Sequence, residues 1–359
     1  MTETRLVVSA LALEAGRPSG ARERMTRLLA AASEHCEVRV ISADIWTEEE
    51  RLRLAHCSLV CVPVPGRGVV WRWRNERRIL GAAGAFARGV ILLQDAMPWC
   101  RHARLIGTVH DLRHWQSGLA GVLRRSGARH SLARAALITC PTESVRAELA
   151  AREPLLAARL RFVPNGVDTP PTPLIRSAGT PRILWIGHCE ARKDPETMLR
   201  VFAELSMRWP DLRLEMVGRG ELDLAALARS ALGADAFPRF AWHQDCSASA
   251  LSLLREEATL AVVTSRLEGF SMVPLECQAA GLPVVVSDLP AHREVLGTAA
   301  RFAPAGDVRA FTAQIEGLLR DEGLRAQSAA VGRQSAARWS WDVATQRFLA
   351  LLRELQTSE

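Results

Sequence analysis

The sequence contains no long apolar run. No stretch reaches 18 consecutive apolar residues, and Arg88 interrupts the best candidate, Ile79 to Leu93. A helix that spans a bilayer needs about 20 such residues. The sequence therefore predicts that the protein does not span a membrane.

Zinc-site and disulfide patterns are also missing. The eight cysteines are scattered, and the closest pair, Cys57 and Cys61, has neither a second pair nor a histidine cluster at zinc-finger spacing. Scattered cysteines of this kind are typical of reduced thiols in a cytosolic enzyme. We therefore expect a cytoplasmic location, with contact at the inner face of the membrane left open.

The signature motifs of several enzyme classes are absent. No G-x-G-x-x-G follows the first predicted strand, and Gly218-Arg-Gly220 lacks the acidic residue at a later strand end that a dinucleotide site uses. A nicotinamide-dependent oxidoreductase is therefore disfavoured. No serine elbow and no G-x-x-x-x-G-K-[ST] phosphate loop occur either.

Positive charge is concentrated in the first half of the chain. Residues 1–170 hold 25 Arg against 16 Asp and Glu, whereas the remainder holds 21 Lys and Arg against 23 acidic residues. This imbalance suggests an anionic partner for the first half. The arginines are dispersed and no base-recognition motif accompanies them, so nucleic acid is not an expected partner.

Short apolar runs alternate with longer amphipathic stretches. In the first half we predict helices at Ala21–Ser33, Thr47–Ala55 and Glu143–Ala151, and strands at Leu6–Ser9, Val38–Ile41, Leu59–Val64, Val90–Leu93, Leu105–Val109, Leu137–Thr139 and Arg161–Val163. A second series begins with strand Arg182–Ile186, helix Glu196–Trp209, strand Arg213–Val217 and helix Glu221–Leu232. Strands that alternate with helices predict parallel sheets wound by crossover helices.

The Pro-rich stretch Thr169–Pro173 predicts a linker, because it can continue neither a helix nor a central strand. We therefore expect an α/β protein with two doubly wound, Rossmann-like domains at residues 1–168 and 181–341, joined by a linker at 169–180. Residues 342–359 are predicted to form a helix that packs back toward the N-terminal domain. Ligands of open α/β sheets bind at the carboxyl ends of the strands, here in a cleft between the domains.

The most informative segment is Glu268-Gly-Phe-Ser-Met-Val-Pro-Leu-Glu276, which follows an apolar strand at Leu260–Val263. Ser271, with Pro274 three residues later, indicates the start of a helix. Amides exposed at that start favour an anion, and Gly269 lets a ligand approach the backbone closely. The two flanking carboxylates can accept hydrogen bonds from the hydroxyls on either side of a diphosphate, which is what a sugar nucleotide offers.

This segment resembles the Glu-x7-Glu motif of glycosyltransferase family 4, and the continuation Ala280-Gly-Leu-Pro-Val-Val-Val-Ser-Asp-Leu-Pro-Ala-His-Arg-Glu-Val295 is similar to the same family. The resemblance covers roughly residues 100–345 well and the first part of the chain only in layout. It implies a GT-B fold of two facing Rossmann-like domains and a nucleoside-diphosphate-sugar donor. It also implies retention of the anomeric configuration and no divalent metal.

The sequence agrees with metal independence, because it contains no Asp-x-Asp pair. In metal-dependent transferases such a pair bridges a cation to the diphosphate. Without it, the positive charge must come from side chains and helix ends. We therefore expect neither a metal nor a cofactor, with the sugar nucleotide as co-substrate.

By this resemblance, Glu268 holds the donor sugar and Glu276 holds the ribose. Amides of the intervening segment meet the sugar and phosphates, namely those of Gly269, Phe270, Ser271, Met272 and Val273. Further donor-binding residues are Gly187, His188, Arg192, Lys193 and Gly218. His188 stands where many members have Arg, so whether His188 or Arg192 reaches the diphosphate is left open.

Lys193 is the only lysine among the 46 Lys and Arg residues. Lysine is a compact point charge whereas arginine is a planar fork, so the two are not interchangeable in a tight phosphate pocket. Lys193 also matches the lysine of the family motif. We therefore predict that Lys193 contacts the diphosphate.

The first half contributes Thr108-Val-His-Asp-Leu112, which ends an apolar strand and resembles the family segment whose histidine lies near the reacting sugar. His110 is therefore assigned to the catalytic set together with Glu268 and Lys193. Asp111 is expected to orient the loop or to cap the following helix.

Two further segments of the first half match the family. Glu14-Ala-Gly-Arg-Pro-Ser-Gly20 corresponds to its glycine-rich loop and implicates Gly16, Ser19 and Gly20 on the acceptor side, although the usual adjacent glycines are missing. Asn165-Gly-Val-Asp168 is expected to form the turn into the hinge, because Asn-Gly favours positive φ.

The segment Val69-Val-Trp-Arg-Trp-Arg-Asn-Glu-Arg-Arg-Ile-Leu80 interleaves tryptophans with arginines. Trp71 and Trp73 with their basic neighbours suit an anionic membrane surface or a lipid-phosphate acceptor. An amphipathic surface helix with solvated arginines explains the same pattern, and both interpretations stay open.

These observations predict a glycosyltransferase that moves a hexose-type sugar from a nucleoside-diphosphate sugar to an acceptor hydroxyl. The acceptor is unidentified, with a lipid-linked hydroxyl as one option, and the products belong to glycan, glycolipid or glycosylated natural-product biosynthesis. Two alternatives stay open. One is a sugar-nucleotide epimerase of the same fold, and the other is a nucleotide-sugar-binding protein without transferase activity.

Overall fold

The computed structural model describes residues 5–11, 13, 20–43, 45–63, 69–82, 89–94, 104–115, 119–170 and 179–357. The chain divides into two compact units. The first unit comprises Met1–Gly166 and Trp341–Glu359, and the second comprises Val167–Ser340.

The first unit is built on a parallel sheet in the order β3-β2-β1-β4-β5-β6-β7. Its strands are β1 Arg5–Ser9, β2 Glu37–Ser42, β3 Ser58–Cys61, β4 Gly89–Gln94, β5 Leu105–Thr108, β6 Leu137–Cys140 and β7 Leu160–Phe162. The helices between them are α1 Gly20–Ser33, α2 Glu48–Arg53, α3 Val69–Ala82, α4 Leu119–Leu132 and α5 Glu143–Arg152. Each predicted strand of the first half overlaps an observed one.

Strand β1 shows why these short runs are apolar throughout. Leu6 and Val8 pack into one hydrophobic cluster and Val7 into another, so both faces of the strand are covered. A strand buried on both faces requires a continuous apolar run rather than an alternating one.

The second unit is also built on a parallel sheet, in the order β10-β9-β8-β11-β12-β13. Its strands are β8 Arg182–Ile186, β9 Arg213–Val217, β10 Phe240–His243, β11 Leu260–Val263, β12 Val284–Ser287 and β13 Arg301–Ala303. Its helices are α6 Pro195–Ser206, α7 Leu224–Ala231, α8 Ala248–Glu257, α9 Met272–Ala279, α10 Pro290–Leu296, α11 Val308–Arg320 and α12 Glu322–Ala336.

Helix α7 begins later than predicted, at Leu224 instead of Glu221. The side chain of Asp223 accepts a hydrogen bond from the Ala226 amide and caps the helix. A side-chain N-cap of this kind defines a helix start.

The last helix, α13, runs from Trp341 to Thr357 and belongs to the first unit. Its buried residues, Ala344, Phe348, Leu351, Leu352 and Leu355, recur at helical spacing and join the cluster that contains Met25 and Leu29 of α1. One apolar stripe therefore attaches the helix to that unit.

In the second unit the strand order reverses between β8 and β11, which lie side by side. Such a switch point opens a crevice at the carboxyl ends of the two strands. The loops that leave it are residues 187–194 after β8 and residues 264–271 after β11.

No helix within the described ranges is both long and apolar enough to cross a bilayer.

Candidate functional site

Glu268 is the centre of a charge cluster at the switch point of the second unit. Its Oε1 accepts hydrogen bonds from Lys193 Nζ at 2.6 Å and from Ser265 Oγ at 2.7 Å. Arg192 Nη1 lies 3.6 Å from the other carboxylate oxygen. The carboxylate is only 9% exposed. Burial alone would raise the pKa of Glu268, but the charges of Lys193 and Arg192 outweigh it and hold that pKa below its usual range.

The backbone of the two loops places Lys193. A 3-10 turn over Ala191–Lys193 ends at Asp194, which has a left-handed φ of 50° and caps α6 through Thr197. Thr264 Oγ1 donates to the carbonyls of Lys193 and Asp194, and the Arg266 amide donates to the carbonyl of Arg192. The loop after β11 thus bonds directly to the loop after β8.

The sequence leaves open whether Arg192 or His188 contacts the diphosphate. The two side chains have different surroundings in the structure. The guanidinium of Arg192 donates to Glu190 and to the carbonyl of Leu267. His188 Nδ1 lies 3.3 Å from the carbonyl oxygen of Arg219. Arg192 is therefore the nearer of the two to Glu268, whereas His188 is held toward the loop after β9.

Glycines bring the ends of β8 and β9 together. Gly218 has φ 138°, and a Cβ there would overlap the carbonyl oxygen of Gly187. Cys189 and Gly220 continue the contact as a parallel bridge. Gly218 thus has a packing reason to be glycine, whatever its part in donor binding.

The segment between the two glutamates forms the start of α9. Ser271 has φ 83°, in the left-handed region, and does not cap the helix with its side chain. Its hydroxyl is buried and has no hydrogen-bond partner among the described residues. Phe270 is 4% exposed, and its ring packs edge-on against Trp339 with centroids 5.2 Å apart.

The second glutamate, Glu276 on α9, pairs with Arg255 from the last turn of α8. Nη2 of Arg255 donates to Oε2 of Glu276. The two family glutamates therefore have separate cationic partners in the same unit, Lys193 with Arg192 for one and Arg255 for the other.

His292 belongs to this cluster and was not assigned from the sequence, although it lies in the segment that resembles the family. It is fully buried in the first turn of α10, and its Nδ1 lies 2.6 Å from the carbonyl oxygen of Ser287. A carbonyl only accepts, so Nδ1 carries the proton, and Nε2 is buried without a partner among the described residues. Burial lowers the pKa of His292, partly offset by the charge of Glu268.

Ser265, Thr264 and Arg255 were also missed from the sequence. Ordinary polar residues carry no motif, and their positions depend on which loops the sheet brings together.

In the first unit, His110 and Asp111 follow β5. The carboxylate of Asp111 is buried and accepts from the amide of Arg113 at 3.0 Å and from its guanidinium at 2.7 Å. His110 is half-buried beside Thr108 and Trp115 in a cleft of about 10 Å³, which is about the space of one water molecule.

Several predicted residues of the first unit cannot be placed in a site. Gly16 and Ser19 lie outside the described residues, and Gly20 is the first residue of α1. Trp71 and Trp73 lie in α3, but their side chains are outside the described part of the structure.

The positive φ expected at Asn165-Gly166 is not found, because neither residue adopts one. Asn165 is instead held by a buried arginine. Arg24 Nη1 donates to the carbonyls of Val163 and Pro164 and to Oδ1 of Asn165. Burial lowers the pKa of Arg24 to about 10.

Two family models match the chain, one in each half. Residues 18–170 match the model described as Glycosyltransferase Family 4, and residues 174–335 match Glycosyl transferases group 1.

Curated proteins match about half of the chain. A phosphatidyl-myo-inositol mannosyltransferase of Mycolicibacterium smegmatis is 33% identical over 197 residues, which is 52% of this chain and 50% of that protein. A D-inositol 3-phosphate glycosyltransferase of Xylanimonas cellulosilytica is 28% identical over 215 residues, 53% of this chain and 50% of that protein. The matched region spans about half the length of these relatives.

Solved structures share the fold over nearly the whole chain. Sucrose-phosphate synthase from Thermosynechococcus elongatus has a TM-score of 0.80 at 16% identity and covers 99% of this chain and 100% of its own. HepE from Anabaena, in complex with UDP-glucose, has a TM-score of 0.76 at 13% identity, with coverages of 98% and 99%. With both halves matched by family models and the fold shared in this way, the chain belongs to the GT-B glycosyltransferases of the family 4 type.

Proposed function

We propose that this protein transfers a hexose-type sugar from a nucleoside-diphosphate sugar to an acceptor hydroxyl. The observation that carries the proposal is the cluster at the switch point of the second unit. The only lysine of the chain lies 2.6 Å from a buried carboxylate beside the start of α9. The proposal is supported by the chemistry of these groups, because a sugar diphosphate offers anionic phosphates to a lysine and hydroxyl donors to a carboxylate.

The donor is proposed to bind through both loops. Lys193, with Arg192 and the first amides of α9, would hold the diphosphate, because charge-assisted bonds and helix N-termini favour anions. Glu268 would accept hydrogen bonds from sugar hydroxyls, and Glu276 from the ribose. Each carboxylate has a cationic neighbour, and the lowered pKa of Glu268 favours its ionised, accepting form.

The chemistry is proposed to rest on positioning and on electrostatic stabilisation of the departing diphosphate. Lys193 would stabilise the negative charge that develops on it. His110, from the first unit, would position the reacting sugar or stabilise charge near it. Retention of the anomeric configuration is part of the proposal through the family resemblance, and metal independence is supported by the missing Asp-x-Asp pair and the two cations beside Glu268.

The acceptor is proposed to be a polyol hydroxyl, with a lipid-linked one as an option. This follows the names of the curated relatives, which act on phosphatidyl-myo-inositol or on D-inositol 3-phosphate. Contact with an anionic membrane through the Trp71 and Trp73 region is a further part of the proposal and rests on the sequence pattern.

A binding and turnover screen tests the proposed function. Uridine, guanosine and thymidine diphosphate sugars are added to the purified protein, and a ligand present at 100 times its dissociation constant raises apparent stability by about 2.7 kcal/mol. The donor that binds is then incubated with excess chelator, with and without inositol, and the product's anomeric configuration is read by NMR. Failure to bind any of them would contradict the proposal.

The same incubation separates the alternatives. Release of free sugar or transfer to inositol indicates a transferase, whereas a new sugar nucleotide indicates an epimerase. Binding with no turnover under any condition would favour a binding protein without transferase activity.

A further inference from the structure

Arg255 is a half-buried cation of the second unit that the proposed chemistry does not use. It lies in the last turn of α8, and its side chain is 20% exposed. Its Nη2 donates to Oε2 of Glu276 on the neighbouring helix α9. The pair joins residues 21 positions apart in the chain, so it depends on the tertiary structure of the unit.

The hydrogen bonding of Arg255 is incomplete, which is not expected of a residue that only stabilises the fold. Its Nε is buried without a partner among the described residues. A buried donor without a partner lowers stability. The guanidinium thus bonds Glu276 while its Nε has no partner among the described residues.

The pair has a consequence for ligand binding. A carboxylate offers about four acceptor positions, so the bond from Arg255 does not by itself prevent Glu276 from accepting from neighbouring hydroxyls. A free glutamate side chain must give up rotamer freedom when it binds, whereas one held by a partly buried arginine has already done so.

Resting on the proposed function, we infer that Arg255 is a positioning residue for ribose recognition. It holds the carboxylate of Glu276 in the orientation that accepts the ribose hydroxyls. The donor site then prefers nucleoside diphosphates with an intact ribose over those that lack its hydroxyls, and this preference depends on Arg255.

The test measures dissociation constants by calorimetry for uridine and guanosine diphosphate and for their 2′,3′-dideoxy analogues. We expect the wild-type protein to bind the better ribonucleotide at least about tenfold more tightly than its dideoxy analogue, since hydrogen bonds to charged groups contribute this much. In Arg255→Met the ratio should fall to within about threefold of one, while affinity for the dideoxy analogue stays unchanged. General damage to the site would instead lower the affinity for the ribonucleotide and for its dideoxy analogue by the same factor.

Three further variants complete the design. Glu276→Gln should lower the affinity ratio between ribonucleotide and dideoxy analogue as much as Arg255→Met does. The double variant should have the same ratio as Glu276→Gln alone, because the two residues act through one interaction. Arg255→Lys keeps the charge without the planar fork and should give an intermediate ratio; it also serves if Arg255→Met does not fold. Arg229→Met, the same change in the last turn of α7 at an exposed position, is the matched control.

The inference would be overturned if both Arg255 variants kept the affinity ratio of the wild-type protein. It would also be overturned if the wild-type protein bound the ribonucleotide and its dideoxy analogue equally well. If the wild-type protein bound neither ribonucleotide, the proposed function itself would fail, and the inference with it.

Discussion

At the scale of single residues, the carboxylate of Glu268 is paired with two cations. Lys193 donates to Glu268, and Arg192 lies within 3.6 Å of the same carboxylate. A diphosphate at this position would compete with Glu268 for the ammonium group. The lysine therefore has two roles, one in stability and one in the proposed donor binding, and these can be separated.

Lys193→Ala should weaken binding of the nucleoside diphosphate by about one to two orders of magnitude, because it removes a charge-assisted bond of roughly 1.5–3 kcal/mol. It should also lower the free energy of unfolding by about 1–3 kcal/mol, because Glu268 loses its closest cation. Calorimetry and urea denaturation measure the two effects. In the double variant Lys193→Met with Glu268→Gln, stability should recover and binding should not. Undiminished binding in both variants would remove Lys193 from the donor site.

Lys193 also provides a chemical test, because it is the only side-chain amine of the sequence. An amine-acylating reagent should abolish transfer at the rate at which Lys193 is modified, as followed by peptide mass. Nucleoside diphosphate should slow both rates equally. Full activity after complete acylation of Lys193 would contradict its assigned role.

At the scale of elements, the start of α9 carries backbone strain. Ser271 adopts φ 83°, a conformation that glycine reaches without penalty. Ser271→Gly should therefore raise the free energy of unfolding by about 1 kcal/mol, measured by urea denaturation. Ser271→Ala keeps the strained conformation and removes only the buried hydroxyl, so it should not give the same gain. Equal stability of the two variants would show that the strain is not significant.

The ends of β8 and β9 depend on a glycine contact. Gly218→Ala would drive a Cβ into the carbonyl oxygen of Gly187 at a left-handed φ, so we expect a loss of about 3 kcal/mol or more. Gly233→Ala, where the added atom meets nothing within 4 Å, is the control and should change stability little. The midpoints of thermal unfolding of the two variants are compared. Equal midpoints would show that the close approach of Gly218 to Gly187 does not require glycine.

At the scale of the whole molecule, buried titratable groups contribute to the dependence of stability on pH. The pKa of His292 is lowered by burial. Below about pH 6.5, His292 is therefore protonated in the unfolded chain but remains neutral in the folded chain. The free energy of unfolding should then fall by up to about 1.4 kcal/mol per pH unit as pH drops from 6.5 toward the folded-state pKa. The lowered pKa of Glu268 acts in the same direction, at pH values below about 4.3.

His292→Asn should flatten this dependence between pH 7 and 5, because its amide can replace Nδ1 on the Ser287 carbonyl without titrating. Urea denaturation at several pH values measures the slope, which does not depend on the absolute stability of the variant. His35→Asn, at an exposed position, should keep the wild-type slope. An unchanged slope in His292→Asn would show that another group is responsible.

The sequence by itself determined the α/β class, the positions of the strands and the segments around Lys193 and Glu268. These follow from local information: the length of an apolar run, the residue that begins a helix, and a glycine that admits a ligand. The apolar run at Leu6–Ser9, which forms β1, is of this kind, whereas the start of α7 at Leu224 was not predicted.

Only the tertiary structure decided which groups meet. The contact of Lys193 with Glu268 joins positions 75 residues apart, and that of Arg182 with Glu215 joins positions 33 apart. The pairing of Arg255 with Glu276, the burial of His292 and the approach of Gly218 to Gly187 likewise depend on the strand order β10-β9-β8-β11-β12-β13 and on the path of each loop. A side chain's partner is set by the summed packing of many distant residues, whereas its local conformation is set by its neighbours in the chain, and a single sequence displays only the second.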